Sequence, residues 1–286
     1  MRKILIPTDF SDNAMNAIKY AIALFKYDVC EFYIMHAYQD DIYTNETLIT
    51  ERGIDNITET INKNSEKTLQ KTLKTINNIS PNPKHTYHLI SANNLLVDEA
   101  DSIVEKHNID IIVMGTKGKT NDKKITFGSH TLQVLKYVQC PVLAIPENYK
   151  YTQPKHILFP TNYMIPYKQR ELKLLCEMVS PYRAEIDMLY ISKIEKLSMR
   201  QEDNKNFIKE ELCKNSLNFK TIKSTHIINT TYKYIKENHI DMLVMVNTRH
   251  SFLENILYLS TIDDTIDELS LHLDIPFLAL QNMKRN

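Results

Sequence analysis

The run IIVMGTKGKTNDKKITFGS, Ile111 to Ser129, holds three of the four glycines in a chain of 286 residues. Four apolar residues meet Gly115, Gly118 follows, and a third glycine precedes a serine, giving the spacing G-x2-G-x9-G-S. A short apolar run bounded by glycine reads as a buried strand. Open α/β sheets bind ligands at the carboxyl ends of their strands. Gly115 and Gly118 would let the backbone take positive φ and turn its N–H groups into an anion-binding concavity. Gly128 and Ser129 open a helix predicted over Ser129 to Val138. Its N-terminus adds unpaired N–H groups, a favourable dipole end and the Ser129 hydroxyl, all suited to a phosphate oxygen. Lys117, Lys119, Lys123 and Lys124 lie between and screen a polyphosphate.

Outward from this run the chain repeats itself. KILIPTD at Lys3 to Asp9 matches HILFPTN at His156 to Asn162, and EFYIMHAY from Glu31 resembles EIDMLYIS from Glu185. EKHNIDIIVMG, Glu105 to Gly115, is echoed by KENHIDMLVMV, Lys236 to Val246, and CPVLAIP from Cys140 by IPFLALQ from Ile275. Four matches in one order predict two copies of one fold, 1–148 and 153–286, with a shorter middle in the second. Within each copy, apolar runs such as Ile4 to Ile6, Phe32 to Met35 and Val142 to Ile145 read as strands buried on both faces. Amphipathic patterns lie between them. Asn13 to Lys26 places Ala14, Ala17, Ile18, Ala21, Ile22 and Phe25 on one stripe, with Ser11 or Asp12 as cap. Ala92 to His107 does the same with Leu95, Leu96, Ala100, Ile103 and Val104. Glu46 to Ile79 and its counterpart Lys193 to Phe219 read as polar helices covering a sheet face, with Gly53 as a break in the first. Alternating strands and helices imply parallel sheets with helices on both faces.

Composition narrows the function. Residues 1–150 carry 17 basic and 18 acidic side chains, the remainder 18 and 17, so neither half is an electrostatic magnet for nucleic acid or membrane surfaces. No apolar run approaches the length of a membrane helix. Four cysteines 110, 36 and 37 residues apart match neither a zinc spacing nor a disulfide framework, which fits reduced thiols in a cytoplasmic protein. Neither a P-loop nor a G-x-G-x-x-G dinucleotide fingerprint is present.

G-x2-G-x9-G-[ST] after IIVM and ahead of CPVL resembles the nucleotide-binding signature of the universal stress protein family, and two copies resemble its tandem members. The resemblance implies two Rossmann-like domains of the adenine nucleotide alpha hydrolase type, each a five-stranded parallel sheet of order 3-2-1-4-5. It implies ATP, with or without Mg2+, as ligand. Asp9 would bind ribose or adenine, Pro7 and Thr8 would shape the pocket, and Ala37 backbone groups would read adenine. Met114 would line the base site; Gly115, Gly118, Gly128 and Ser129 would hold phosphates, with His130 and Thr131 alongside. Adjacent first and fourth strands would bring Asp9 next to Gly115. The last strands, 142–145 and 277–280, would pair within one chain as family dimers pair theirs, with an unknown protein partner and further dimerisation left open.

The second copy departs from the pattern: Val246, Arg249 and Leu259 replace the three glycines and Asn162 replaces Asp9, so one nucleotide per chain is expected. Among other residues, His85 and His88 read as surface histidines and His36 as a polar strand-end residue. His130 is either a phosphate contact or an exposed first-turn residue, and Cys140 reads as packing. No base, nucleophile or carboxylate pair beyond Asp9 and Asp122 is in reach of the motif, so dedicated catalysis is not expected and slow ATP hydrolysis is the most it would support. The leading expectation is a nucleotide-binding stress-response regulator. A hydrolase or adenylate-forming enzyme and a nucleotide-free interaction module are the alternatives.

Overall fold

The computed structural model describes residues 1–43, 54–118, 127–164, 167–193, 196–212, 215–247 and 273–282. Gly53, Lys119, Asp122, Lys123, Lys124, Cys213, Arg249, Leu259 and Ser260 lie outside the described residues. The chain gathers into two compact units that meet in sequence at Asn148 and Tyr149.

The first unit contains β1 (Arg2–Pro7), α1 (Asp12–Leu24), β2 (Cys30–Ala37), the short α2 (Gln39–Tyr43), α3 (Ile54–Ile79), β3 (His85–Ala92), α4 (Leu96–His107), β4 (Ile111–Gly115), α5 (Ser129–Tyr137) and β5 (Val142–Ile145). Its strands run parallel in the order β3-β2-β1-β4-β5. The central strands β1 and β4 are covered on both faces, which is why Ile4, Leu5, Ile6, Ile111, Ile112 and Val113 have no solvent exposure. All six residues of the α1 stripe are buried. Ser11 caps that helix by accepting from the Ala14 N–H at 3.2 Å, satisfying one of the N–H groups that every helix start leaves open.

The second unit contains β6 (His156–Pro160), α6 (Gln169–Val179), β7 (Glu185–Ser192), α7 (Met199–Glu211), β8 (Ser216–Lys223), α8 (Ile227–Glu237), β9 (Met242–Asn247) and β10 (Phe277–Gln281). Counted within the unit its strands also follow 3-2-1-4-5, all parallel. The two units agree in backbone detail. Phe10 and Tyr163, at matching places after the first strands, both have left-handed φ, 63° and 56°; Asn108 and His239, before the fourth strands, have 53° and 49°. Asp110 Oδ2 accepts the Lys3 N–H at 2.9 Å, and Asp241 Oδ2 accepts the His156 N–H at 2.9 Å.

Several expectations are corrected. Helix α4 begins at Leu96 rather than Ala92, because Ala92 still pairs in β3 and Leu95 takes extended N-cap geometry, leaving it 42% exposed. Phe219 lies on β8 opposite Met188, so the helix expected to reach it stops at Glu211. His85 is buried, not at the surface: its Nε2 lies 3.2 Å from the Phe25 carbonyl oxygen, and burial pulls its pKa below the ordinary value. His88 is exposed and stacks on Tyr33. His36 does stand at the end of β2, as expected, and is buried there. No helix among the described residues is long and apolar enough to cross a membrane.

Candidate functional site

The parallel order of the first unit sets β1 beside β4, so the loops leaving their carboxyl ends face each other at the point where the strand order reverses. After β1 the chain turns through a string of side-chain to backbone bonds. Thr8 Oγ1 accepts the Phe10 N–H at 3.1 Å, and Asp9 Oδ1 accepts both the Ser11 N–H at 3.0 Å and the Ser11 hydroxyl at 2.6 Å. These bonds hold Phe10 in its left-handed conformation, a state that costs a non-glycine residue about 1–3 kcal/mol. Asp9 Oδ2 is left directed at Gly118.

After β4 the glycine segment folds over this turn. The Gly128 N–H donates to the Thr116 carbonyl at 2.8 Å and draws the two ends of the loop together. Asn13, on the first turn of α1, donates from Nδ2 to the Lys117 carbonyl at 2.7 Å and fastens the loop from the other side. Asn13 is buried, and its Oδ1 has no hydrogen-bond partner among the described residues. Thr131 donates from its hydroxyl to the Gly115 carbonyl at 3.0 Å, fixing the start of α5 against the end of β4.

The reason for glycine here differs from the one expected. None of the three clustered glycines has a φ in the left-handed region. What they supply is room. A Cβ on Gly115 would lie 2.7 Å from Asn13 Nδ2 and 3.2 Å from the Lys117 carbonyl oxygen; on Gly118 it would lie 2.9 Å from Asp9 Oδ2. At Gly128 the nearest atom would be 3.5 Å away, an ordinary contact. Asp9 accordingly meets Gly118, and it is Asn13 that meets Gly115, correcting the expected neighbour.

All twelve residues singled out from the sequence line one cleft: Pro7, Thr8 and Asp9 from the first turn, Ala37 from the end of β2, Met114 and Gly115 from β4, Lys117 and Gly118 from the loop, and Gly128, Ser129, His130 and Thr131 from the start of α5. Four more join them that sequence reasoning missed as site residues, namely Ala14, His36, Asp40 and Leu96. His36 packs against Phe10 with ring centroids 4.4 Å apart, and its Nδ1 lies 2.9 Å from Ser65 Oγ of α3. Asp40 of α2 meets His130 across the mouth at 3.2 Å. Of these four only His36 lies near a strand end; Ala14, Asp40 and Leu96 lie in helices, where local sequence carries no signal of a cleft.

Chemically the cleft has two ends. At one, Met114, Ala37 and Ala14 offer apolar walls. At the other, the first intrahelical bond of α5 runs from the Leu132 N–H to the Gly128 carbonyl, so the N–H groups of Ser129, His130 and Thr131 precede the helical ladder, and no side chain caps them. Such a helix start attracts anions through its dipole. Gly128's own N–H is already engaged with Thr116, so its contribution is space and a clean entry to α5.

The matching turn in the second unit is built from the same bonds. Thr161 accepts the Tyr163 N–H at 2.9 Å and Asn162 the Met164 N–H at 2.9 Å, repeating the Thr8 and Asp9 turns. Just before α6 stands Tyr167, buried, with its hydroxyl hydrogen-bonded to the Thr161 hydroxyl and its ring edge-on to Phe159. Burial pushes the Tyr167 phenol up to about 12, so it stays neutral. Val246 occupies the position of Gly115.

The family model described as "Universal stress protein family" matches residues 1–146. The chain belongs to the universal stress protein family. Among curated members, Universal stress protein MJ0531 of Methanocaldococcus jannaschii is 32% identical over 144 residues, half of this chain and 81% of the relative. Universal stress protein MJ0577 of the same organism is 28% identical over 152 residues, half of this chain and 94% of the relative. Across the whole chain the fold is similar to the crystal structure of a universal stress protein from Archaeoglobus fulgidus, with a TM-score of 0.63, 16% identity, and coverage of 98% of this chain and 96% of that one.

Proposed function

We propose that the first unit of this universal stress protein binds one adenine nucleotide, ATP with or without Mg2+, and acts in the cytoplasm as a regulatory stress-response protein without dedicated catalysis. One observation carries the reading: the twelve residues that the glycine spacing and the family resemblance single out line a single cleft in which Cβ atoms at Gly115 and Gly118 would collide with Asn13 and Asp9. In this proposal Asp9 uses Oδ2 toward the sugar, since Oδ1 is committed to Ser11. Met114, Ala37 and the walls formed by Pro7 and Thr8 take the base. The uncapped N–H groups at Ser129, His130 and Thr131, the Ser129 hydroxyl, Gly118 and Lys117 take the phosphates. Charge-assisted bonds of this kind contribute about 1.5–3 kcal/mol each, so two or three supply about 3–9 kcal/mol toward binding, with burial of the base supplying the rest.

The second unit is proposed as a structural partner that carries no nucleotide. Supporting that is the buried Tyr167, whose hydroxyl is taken up with Thr161, the counterpart of Thr8, together with Val246 in place of Gly115. The test is calorimetric titration with Mg2+ and ATP on the intact chain. One site per chain is expected, unchanged by Tyr167→Phe and weakened by Asp9→Ala. Two equivalent sites, or a site insensitive to Asp9, would refute the assignment.

A further inference from the structure

Beside the cleft, α4 and α5 run together and leave an open groove between them. From α4, Asp98, Asp101 and Glu105 line it at i, i+3 and i+7, one face of the helix. From α5, His130, Gln133 and Tyr137 line the opposite wall at the same spacing. Like charges three and four residues apart disfavour a helix, and Glu105 stands in the last turn, where the dipole also opposes it. None of the three carboxylates forms an ion pair with a described residue. Lys106 is the lining cation at the far end, and Lys136 sits over the Tyr137 ring at 5.2 Å, outside the row. Apolar surface accompanies the charge: Tyr137 is 58% exposed and Leu95 42%.

We propose that this groove docks a basic segment of a partner protein, Lys or Arg side chains lying along the Asp98–Asp101–Glu105 row and an apolar side chain settling against Tyr137 and Leu95. Charge complementarity selects this occupant. The chain has no net charge, so an unpaired acidic row flanked by exposed apolar side chains is a local feature and not the overflow of an acidic protein. The groove meets the cleft of the proposed nucleotide site at Asp40, Leu96 and His130, which line both. The docking argument uses only charge and shape and does not depend on a bound nucleotide.

The test uses the full chain without added nucleotide and a fluorescent synthetic peptide of repeating Lys-Lys-Leu units, with a Glu-Glu-Leu peptide as its counterpart. The expected result is saturable binding of the basic peptide, weakened about tenfold in the triple variant D98N/D101N/E105Q and also weakened in Tyr137→Ala. The triple variant E202Q/D203N/E210Q, which changes charge equally on α7, should bind as the parent does. Circular dichroism on each variant separates lost docking from lost folding. Equal binding by the groove variant, equal weakening by the α7 variant, or binding of the acidic peptide would overturn the proposal. So would saturation of the carboxylate row by calcium or magnesium chloride with no peptide bound.

Discussion

Substituting each clustered glycine by alanine separates room from conformational freedom as the reason for glycine. At Gly115 the new methyl would sit 2.7 Å from Asn13 Nδ2 and 2.9 Å from its Cγ, against a buried side chain held by a 2.7 Å bond to the Lys117 carbonyl. Relief means breaking that bond inside the protein, about 1–3 kcal/mol, or forcing backbone and rotamer shifts of about 1–3 kcal/mol. We expect Gly115→Ala to destabilise by about 1–3 kcal/mol. At Gly118 the obstacle is one carboxylate oxygen of a partly exposed side chain, which gives more readily; about 1 kcal/mol is expected. At Gly128, with φ −67°, ψ 162° and nothing closer than 3.5 Å, alanine fits, and the change should stay within about 0.5 kcal/mol. Urea unfolding followed by circular dichroism reads all three. Equal losses at Gly115 and Gly128 would refute the steric argument, because they would mean that a conformation common to the glycines, and not the Asn13 contact, sets the cost.

Three further outcomes follow from other parts of the fold. Ser11→Ala removes both the α1 cap and a 2.6 Å bond to Asp9, and should cost about 1–2 kcal/mol in urea unfolding while loosening ATP binding. His85 is held below its ordinary pKa chiefly by burial, so the unfolded chain takes up its proton first; stability should fall as pH drops from about 6.5 through the depressed folded value. His107 is shifted the same way by burial and then by Lys106, so His85→Gln should reduce, not abolish, the loss of melting temperature between about pH 7.5 and about pH 5.5. In the second unit Asp187 accepts from Tyr234 at 2.7 Å, Asn218 at 3.0 Å and Lys220 at 3.1 Å. Burial raises its pKa, but these partners outweigh burial and leave it lowered. Tyr234→Phe should therefore cost about 1–2 kcal/mol at neutral pH, with the difference from the parent shrinking in acid as Asp187 protonates.

Much of this architecture was legible because buried parallel strands advertise themselves. Ile4 to Ile6 and Ile111 to Val113 are continuous apolar runs since both their faces are covered, and the repeat of KILIPTD as HILFPTN exposed the second unit's matching order. The cleft residues were legible for a related reason: strand ends are where the repeat and the glycines coincide. The edges of the sheets were not. β3 and β8 are edge strands whose residues stay partly exposed, so they carry no continuous apolar run, and local pattern reads Ala92 and Phe219 as helical. Burial of His85 depends on the Phe25 carbonyl arriving from sixty residues away, which local pattern cannot report. Likewise, the collisions that forbid a side chain at Gly115 and Gly118 arise from Asn13 and Asp9, and spacing alone suggested positive φ instead.

The most direct measurement on the central claim is the identity and stoichiometry of what the purified chain carries. Protein prepared without added nucleotide is denatured and its released small molecules are resolved by mass spectrometry, in parallel for the parent and Gly118→Val. The account predicts adenine nucleotide approaching one per chain from the parent and a strong loss from the variant, with both chains folded. No adenine nucleotide from the parent, together with no thermal shift in excess ATP and Mg2+, would contradict it.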